Sequence, residues 1–433
     1  MLRSRAQRVF ALFLQGAVLV SLASAGAEGA TERRPVVAIR VLGNRSTKPW
    51  VIIRELKTQV GDIPDSARLA EDRDRVLNLQ LFERVEISLE EGPNGDTLTV
   101  RVWERWHFFP YPILFINERD FRKLSYGAGI VHLNVAGRAQ VLSGSGWAGY
   151  DPCLQLEYYN PWFGGPRRLF CEAVLSFGSV RSKSHEALPY TERRGRLEFS
   201  LGKRFGYSTY LAAVGMYTDH GTKPWVPGVI VSPAGRDRFG TVMAHFRMDF
   251  RDLRAYPWRG WYLKLNLEQN GIGSRWVNYQ RFLLDSRVYA GDTRNSLAAR
   301  LLTVLSFGTV PNYDRVYFGY EERVRGHFYD HREGSRQVVL SVEWRRILFP
   351  LRYWESPLPR NLVPTLKFGL NLAVFADAGA VWSRGSWPER SRWLRGYGIG
   401  FHLRIPYVEA LRFELALDEH GRAQAIADLG AFF

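Results

Sequence analysis

The sequence predicts an all-β transmembrane barrel of about sixteen antiparallel strands, preceded by a small α+β domain. Three observations support this fold class. Short runs in which apolar and polar residues alternate recur about every 15 to 20 residues beyond Trp106. Aromatic residues make up 14% of the chain, a content that the aromatic girdles of an outer-membrane barrel would explain. The third observation is an export signal at the N-terminus.

The N-terminal segment has the three parts of a secretory signal peptide. Three arginines within the first eight residues form a basic region, residues 9–22 form an apolar stretch, and Ala-Gly-Ala at 25–27 is a cleavage site. The alternative, a membrane anchor, would need a longer apolar run. Elsewhere no window approaches the ~18 uncharged apolar residues of a spanning helix, which excludes a helical membrane protein. We therefore expect residues 1–27 to be a signal peptide.

Residues 36–105 are predicted to form the small α+β domain. Ser46 or Thr47 is expected to cap a first helix, and Asp65 or Ser66 a second. Strands are predicted over 36–42, 82–89 and 97–102. The last two strands form a hairpin around a Gly-Pro-Asn-Gly-Asp turn. The order of elements is therefore β-α-α-β-β.

The remaining residues, 106–433, are predicted to form the barrel. At about 20 residues per strand and half-turn, this length accommodates roughly sixteen strands, an even number as bacterial barrels require. Alternation by itself is equally typical of a soluble sandwich. Export, the aromatic content and a strand-like run ending in two phenylalanines favour a barrel with its apolar side facing lipid. Strands are placed near 107–117, 124–134, 138–148, 152–160, 167–178, 192–203, 207–218, 239–251, 258–270, 275–290, 295–308, 335–348, 368–381, 394–404, 409–418 and 424–433.

One segment of the predicted barrel, 308–334, is too long for a turn, and loops of this length are usually functional or disordered. It contains Val-Arg-Gly-His at 324–327. With this motif the chain resembles the POTRA-plus-barrel superfamily of outer-membrane protein assembly and transport factors, whose hallmark is V/L-R-G-F/Y on the loop between strands eleven and twelve. Three further segments match that family: Asp-Phe-Arg-Asp at 249–252 followed by Pro257 and Gly260, Phe-x-Asp-x-Gly at 375–379, and Asn160-Pro161 with Gly164.

The small domain resembles the POTRA module of the same superfamily. The resemblance rests on the β-α-α-β-β order and on Gly-Asn after the first strand. Two features depart from the family: only one POTRA copy is present, and His327 stands where Phe or Tyr is usual. The single copy bears on function, because POTRA arrays dock accessory lipoproteins and receive clients by edge-strand addition.

Two predicted strands place carboxylates on the luminal side. Because the apolar phase of each strand faces lipid, Glu343 and Asp377 face the lumen. The loop supplies Arg325, whose five N–H donors suit both carboxylates, and Gly326 lets the backbone approach the wall closely. We expect these four residues to form a lock that pins the loop inside the barrel. The alternative is a solvated arginine in a flexible loop.

No catalytic, cofactor or metal site is predicted. His-Phe-Tyr-Asp-His at 327–331 imitates a zinc-protease signature, but that chemistry needs a helix, a third ligand and a Glu base. Gly-Ala-Gly at 127–129 lacks the third glycine of a dinucleotide loop, and Ser-Gly-Ser-Gly at 143–146 departs from a nucleophile elbow. Alternation places Cys153 and Cys171 on opposite faces, so a disulfide would require a bulge.

The net charge is +16, and only eight of the 59 basic residues are lysines. Arginine suits recognition of phosphate and carboxylate groups. The basic residues spread along the chain without a dense block, which argues against nucleic acid as a partner. Anionic headgroups of outer-membrane lipid or lipopolysaccharide fit an exported barrel better.

The terminal strand resembles the C-terminal recognition signal of outer-membrane barrels, with Leu429 and Phe433 in one phase. Gly430 weakens this closing strand. In the family, the seam between the first and last strands is the proposed client gate. The alternative is a plain terminal strand that is recognised during the protein's own assembly.

Together these features predict a bacterial outer-membrane protein with a periplasmic POTRA domain that assists the insertion and assembly of other barrel proteins. Its partners would be unfolded outer-membrane protein clients, outer-membrane lipid and periplasmic accessory proteins at the POTRA domain. A two-partner-type secretion pore and a passive structural barrel are the alternatives. Secretion members often carry an N-terminal plug helix, and only residues 28–35 lie between the signal peptide and the POTRA strand.

Overall fold

The structure is a computed structural model. It describes residues 34–117, 120–182, 184, 189–226, 228–252, 256–319, 322–355, 365–383, 388, 393–405 and 408–429. The signal peptide predicted at 1–27 lies outside these residues. Within the described ranges, neither helix is long and apolar enough to cross a membrane.

The N-terminal unit is a three-stranded sheet covered by two helices. Its elements are β1 (Val36–Leu42), α1 (Pro49–Ile53), α2 (Ser66–Leu77), β2 (Phe82–Glu90) and β3 (Asp96–Glu104). The sheet order is β1-β3-β2, with β1 parallel and β2 antiparallel to the central strand β3. Apolar residues of the helices and of β3 fill its core. The predicted β-α-α-β-β order and the hairpin are therefore confirmed.

Only one of the two predicted helix caps is confirmed. Asp65 caps α2, because its side chain accepts a hydrogen bond from the backbone N–H of Arg68. The cap expected at Ser46 or Thr47 was wrong: α1 begins after Lys48, which makes no side-chain cap. The Ser46 hydroxyl instead donates to the Glu104 carboxylate at 2.6 Å, and the Thr47 hydroxyl accepts from the Asn134 side chain at 2.9 Å. A tertiary partner has replaced the local one.

The rest of the described chain forms a 16-stranded sheet in which sequential neighbours pair antiparallel, so the predicted strand number is confirmed. A separate two-stranded ribbon pairs Val316–Phe318 antiparallel with Arg332–Gly334. The bounds are β4 Phe108–Ile116, β5 Leu124–Val135, β6 Gln140–Gly149, β7 Cys153–Phe163, β8 Leu169–Arg181, β9 Thr191–Phe205, β10 Thr209–Lys223, β11 Arg236–Asp249, β12 Gly260–Ile272, β13 Asn278–Gly291, β14 Asn295–Thr309, β15 Val316–Phe318, β16 Arg332–Gly334, β17 Arg336–Glu355, β18 Thr365–Trp382, β19 Leu394–Ile405, β20 Val408–Asp418 and β21 Ala423–Leu429.

Most strands of the large sheet alternate between an exposed apolar face and a covered polar face. In β9, Leu197, Phe199 and Leu201 are exposed, whereas Glu198 and Ser200 between them are buried. A water-soluble sandwich would place the apolar residues inside. The outer face is therefore the one that suits lipid, and the polar face lines the lumen.

The long loop lies between β14 and β17, which are the eleventh and twelfth strands of the large sheet, as the motif position predicted. Two features of this region differ from expectation. Strand β17 is 20 residues long and continues to Glu355, past the predicted end at 348, and the loop contains the ribbon of β15 and β16.

The small unit packs against one end of the large sheet. The N–H of Lys48 donates to the carbonyl of Gly137 in the β5–β6 turn at 2.9 Å, and the Tyr207 hydroxyl in the β9–β10 turn donates to the carbonyl of Leu56 at 3.1 Å. The β14–β17 loop begins at the opposite end, because successive strands alternate in direction.

The first and last strands of the large sheet form its two ends, and among the described residues no ladder joins β4 to β21. The carbonyl of His107 accepts a hydrogen bond from the N–H of Leu133 in β5. The backbone N–H and C=O groups of every second residue from 107 onward therefore point toward β5. The backbone groups of Pro110 and Pro112 therefore point the other way, toward the free edge of the sheet. Proline has no N–H, so this edge lacks two of its hydrogen-bond donors.

Candidate functional site

The β14–β17 loop folds from the far end of the barrel into the lumen. Phe318 and Val324 of the loop pack against Leu302, Val339 and Val381, which are inward-facing residues of the wall. This apolar contact lies in a lumen where many of the wall side chains are polar. It positions the segment that follows, which carries the arginine of the loop motif.

Arg325 is fully buried and bonded to the wall on three strands. Its Nη1 donates to Glu343 of β17 at 2.6 Å, and its Nε and Nη2 donate to the two oxygens of Asp377 of β18 at 2.7 and 2.9 Å. A further bond from Nη1 reaches Glu414 of β20 at 3.1 Å. All four side chains are 0% exposed. The loop arginine is thus surrounded by three carboxylates in a water-excluded site.

Glycine is required on both sides of the arginine backbone. Gly326 has φ +96°, a conformation that side chains with a Cβ rarely adopt. On the wall, a Cβ at Gly396 of β19 would lie 1.8 Å from the carbonyl oxygen of Arg325. These two positions let the loop backbone approach the wall at van der Waals distance.

The structure therefore brings together Arg325, Gly326, Glu343 and Asp377, the four residues that the sequence proposed as a lock. Sequence reasoning missed Glu414 and Gly396. A signal for Glu414 was present, because Glu414 occupies the polar phase of the alternating run at 409–418. No sequence signal identifies Gly396, whose importance depends on a chain crossing above it.

The ion network continues below the arginine to the opposite end of the barrel. Arg345 of β17 donates to Glu343 at 2.7 Å and to the carbonyl of Pro257 at 3.0 Å, and Pro257 belongs to the β11–β12 turn. In the same turn, the hydroxyl of Tyr256 is 2.8 Å from Nδ1 of His402. The loop from one end binds Glu343 directly, and the turn from the other end is connected to Glu343 through Arg345.

Glu343, His402 and Glu414 place possible metal-ligand atoms within 4.8 Å of one another. Their surroundings oppose a dication. Arg325 and Arg345 both bind Glu343, and Arg412 donates to Glu414 at 3.0 Å. These guanidinium groups already neutralise the two carboxylates, and a metal ion there would face strong like-charge repulsion. The donor set suits a structural ion network.

The tip of the loop is bonded to the last hairpin of the sheet. His327 Nε2 donates to the carbonyl of Arg395 at 2.8 Å and approaches Glu419 in the β20–β21 turn at 2.6 Å, while Nδ1 is 2.5 Å from Asp330. Arg323 also forms an ion pair with Asp428 of β21. Burial opposes the charge on His327, but its oxygen partners outweigh it and raise the pKa of His327 above the usual 6.5. Both ring nitrogens face oxygen acceptors, which fits the imidazolium form.

The other residues singled out in the sequence lie apart from this network. The backbone of Leu429 in β21 pairs with Leu411, whereas Gly430 and Phe433 lie outside the described residues. Cys153 and Cys171 are free, with the first buried and the second partly exposed.

Two regions of the chain match known families. The Omp85 superfamily domain matches residues 134–425, which is more than half of the chain. The protein belongs to the Omp85 superfamily. The POTRA family, described as a surface antigen variable number repeat, matches residues 35–105. The fold and the family place the barrel in the outer membrane and the POTRA domain in the periplasm, so the loop enters the lumen from the cell surface.

Solved structures show the same fold at low sequence identity. BamA from Haemophilus ducreyi lacking POTRA domains 1–3 is 17% identical with a TM-score of 0.56, and the match covers 93% of this chain and 84% of that one. CdiB from Escherichia coli is 12% identical with a TM-score of 0.53, covering 99% and 95%. CdiB from Acinetobacter baumannii is 14% identical with a TM-score of 0.50, covering 92% and 73%. None of the curated proteins matches the sequence.

Proposed function

We propose that this Omp85 protein assists the insertion and assembly of other outer-membrane barrels at the seam between β4 and β21. The observation that carries the proposal is the state of that seam. Among the described residues no ladder joins the two strands to each other, and β4 has 9 residues against 20 in β17. An unpaired strand edge in a membrane is a template for an incoming strand.

The prolines of β4 give a physical reason for an open seam. A closed barrel would need continuous hydrogen bonds between β4 and β21, because unpaired backbone groups are costly in lipid. Pro110 and Pro112 remove two donors from that ladder. The pairing of β4 with β21 is thereby weakened, and the pairing of β4 with β5 is left intact.

In this proposal the lock stabilises one side of the seam, because it holds the last hairpin, β20–β21, in place. Arg325 binds Glu414 of β20, and Arg323 binds Asp428 of β21. Because Asp377 and Glu343 anchor the same loop to β18 and β17, the loop braces the hairpin from inside the lumen. In this proposal β21 is held at a fixed place while its outer edge stays available to a client.

We propose the domain organisation that the sequence predicts: a signal peptide at 1–27, one POTRA domain at 36–105 and a barrel at 106–433. In the POTRA sheet, β1 and β2 each have one free edge among the described residues. Unfolded clients and periplasmic accessory proteins would bind there by strand addition. No step of this function requires a cofactor or an enzymatic reaction.

A secretion pore is the second candidate, and a specific observation favours it. The half of the lumen next to β7–β12 contains a cavity of about 440 Å³, lined by polar and charged residues such as Glu157, Glu172 and Lys264. A translocating chain could occupy that space. The loop and its ion network fill the neighbouring half, so a wide passage would require the lock to open.

A reconstitution assay tests the proposal. The full mature protein in liposomes should accelerate folding of an unfolded outer-membrane barrel client several-fold, measured by its heat-modifiable migration on gels. The variant Pro110→Val/Pro112→Val restores the missing donors, and it should strengthen the seam and reduce the acceleration. The control Leu114→Val/Ile116→Val changes the same strand and phase without adding donors.

Two results would reject the insertase assignment. One is a client folding rate that is equal with and without the protein. The other is an acceleration that both double variants change to the same extent, because the seam would then have no specific part in it. Transport of a secreted chain into the liposomes without faster barrel folding would support the pore instead.

A further inference from the structure

The outer face of the barrel carries an isolated cluster of cations. It lies at the cell-surface ends of four consecutive strands, β8 to β11. Among the described residues there, Asp219 is the one carboxylate on the outward face. In the outward phase of these strands, the side chains are exposed rather than directed into the lumen. The cations are Arg181, Arg193, Lys223, Arg236 and Arg238.

The strand register places these side chains around a common gap. Arg193 of β9 is opposite Gly221 of β10, and Gly221 is in turn opposite Arg236 of β11. The two arginines are therefore two strands apart, about 10 Å between their backbones. Lys223 lies on one side of Gly221 and Asp219 on the other. A Cβ placed on Gly221 would meet nothing within 4 Å, so the space over Gly221 is open. We call this space, which Arg193, Arg236 and Lys223 surround, the bay.

Part of the cluster is already organised for an anion. Arg236 binds Asp219 with both Nε and Nη2, at 2.5 and 2.8 Å, and Arg238 reaches the same carboxylate at 3.3 Å. The side chains of Arg193 and Lys223 have neither a hydrogen bond nor an ion pair with any described residue. Among the described residues five cations thus face one carboxylate, and a second anion between Arg193 and Arg236 would offset part of the remaining charge.

The bay lies at the height of a membrane interface. Ten residues separate Arg193 from Lys203 along the same outward phase of β9, and Leu197, Phe199 and Leu201 lie between them. Ten residues span about 33 Å along a strand, or about 25 Å across the membrane at the usual strand tilt. Since the POTRA domain packs at the Lys203 end, the bay borders the outer leaflet.

We propose that this bay binds the phosphate group of a phosphorylated lipid in the outer leaflet of the outer membrane. The proposal needs only the outer-membrane location and is independent of the insertase function. The phosphate would lie over Gly221 between Arg193 and Arg236, with Lys223 on its cell-surface side. Arginine forks bind phosphate oxygens in this way.

A lipid fits better than a free anion because the bay continues into an apolar wall. Directly toward the membrane centre, Phe177, Leu197 and Tyr217 are half exposed on the same face. Their rings and side chains would contact acyl chains once the phosphate is held. A free phosphate ion could use the cations alone and would gain nothing from that wall.

The test uses the full mature protein in zwitterionic detergent, titrated with diphosphoryl lipid A. The lipid-dependent rise of the unfolding midpoint gives an apparent dissociation constant. Arg193→Gln/Lys223→Gln should weaken binding about tenfold, since each partly exposed pair contributes modestly. The control Lys203→Gln/Arg346→Gln removes the same charge from the outward face at the periplasmic end and should bind within twofold of the unaltered protein. The charge-retaining Arg193→Lys/Lys223→Arg should also bind normally.

Inorganic phosphate and the same lipid without its phosphates complete the experiment. Neither should raise the unfolding midpoint at matched concentration. The proposal is overturned if the bay variant binds the lipid as tightly as the unaltered protein, or if the periplasmic control loses as much affinity. An equal midpoint shift with inorganic phosphate alone would also overturn it, because the bay would then be a free-anion site.

Discussion

The two halves of the barrel lumen are built from the same alternating strands and are filled differently. Beside β17 to β20, a loop occupies the lumen, and its arginine is shared among three wall carboxylates. Beside β7 to β12, a cavity of about 440 Å³ remains. There the charges pair within the wall: Asp249 of β11 binds Arg247 and Arg251 of its own strand and the turn that follows.

This difference shows that inward polar residues do not by themselves determine what fills a barrel. Wall carboxylates that have no cation on the wall need one from elsewhere, and Asp377 obtains it from the loop. In the open half, Asp249 is satisfied by two neighbouring arginines and needs no cation from the loop. We therefore expect mutations to be costly in the filled half and mild in the open half.

The largest effect is expected for Arg325→Ala. It leaves Glu343, Asp377 and Glu414 buried with one cation fewer, a loss of about 3–5 kcal/mol in unfolding free energy for a broken buried pair. Urea unfolding in detergent measures this loss, and protease cleavage at 308–334 on intact cells should increase. A matched control in the open half is Arg247→Ala, whose partner Asp249 keeps Arg251.

The same network predicts strong non-additivity. Glu343→Gln/Asp377→Asn should expose the loop as Arg325→Ala does, and the triple variant should be little worse than either. If the losses in the triple variant simply add, the residues do not act as one lock. A loss for Arg247→Ala as large as that for Arg325→Ala would remove the distinction between the two halves.

A smaller effect is expected for Glu414→Gln, which tests the carboxylate nearest the seam. Arg325 keeps Glu343 and Asp377, so the loss should be about 1–3 kcal/mol, the range for one charged hydrogen-bond partner. Because the contact with β20 is weakened, cleavage in the β20–β21 turn should increase more than cleavage at 308–334. Equal cleavage at both places would show that the loop does not brace the hairpin through this residue.

A still smaller, pH-dependent effect is expected at the loop tip. Since the pKa of His327 is raised in the folded protein, its contribution to stability is complete below the unfolded value near 6.5 and is lost as pH rises through the folded value. Protease protection of the loop should therefore fall as the pH rises above about 6.5. In His327→Gln this dependence should be absent. A pH profile that is the same in both proteins would assign the titration to another group.

The smallest effect is expected for Glu172→Gln in the open half. This residue lines the cavity and is partly exposed, so the change in unfolding free energy should stay within about 0.5 kcal/mol. Urea unfolding under the conditions used for Arg325→Ala gives the comparison. A loss above about 2 kcal/mol would mean that the cavity is as tightly organised as the filled half.

The sequence by itself determined the features that have a local period. The two-residue alternation identified the strands and their number, and it placed Glu343 and Asp377 on the luminal face, because successive side chains of a strand point to opposite faces. Asp65 could be recognised as a helix cap for the same reason, since a cap bonds a backbone group three residues away. The loop motif located Arg325 between the eleventh and twelfth strands.

Only the tertiary structure decided which of these residues meet. Arg325 is 89 residues from Glu414, and the requirement for glycine at 396 exists only because the loop crosses above it. The cap expected at Thr47 was lost for a similar reason, because its hydroxyl accepts a hydrogen bond from Asn134, 87 residues away. Such contacts depend on strand register, loop path and the curvature of the sheet, which no local pattern contains.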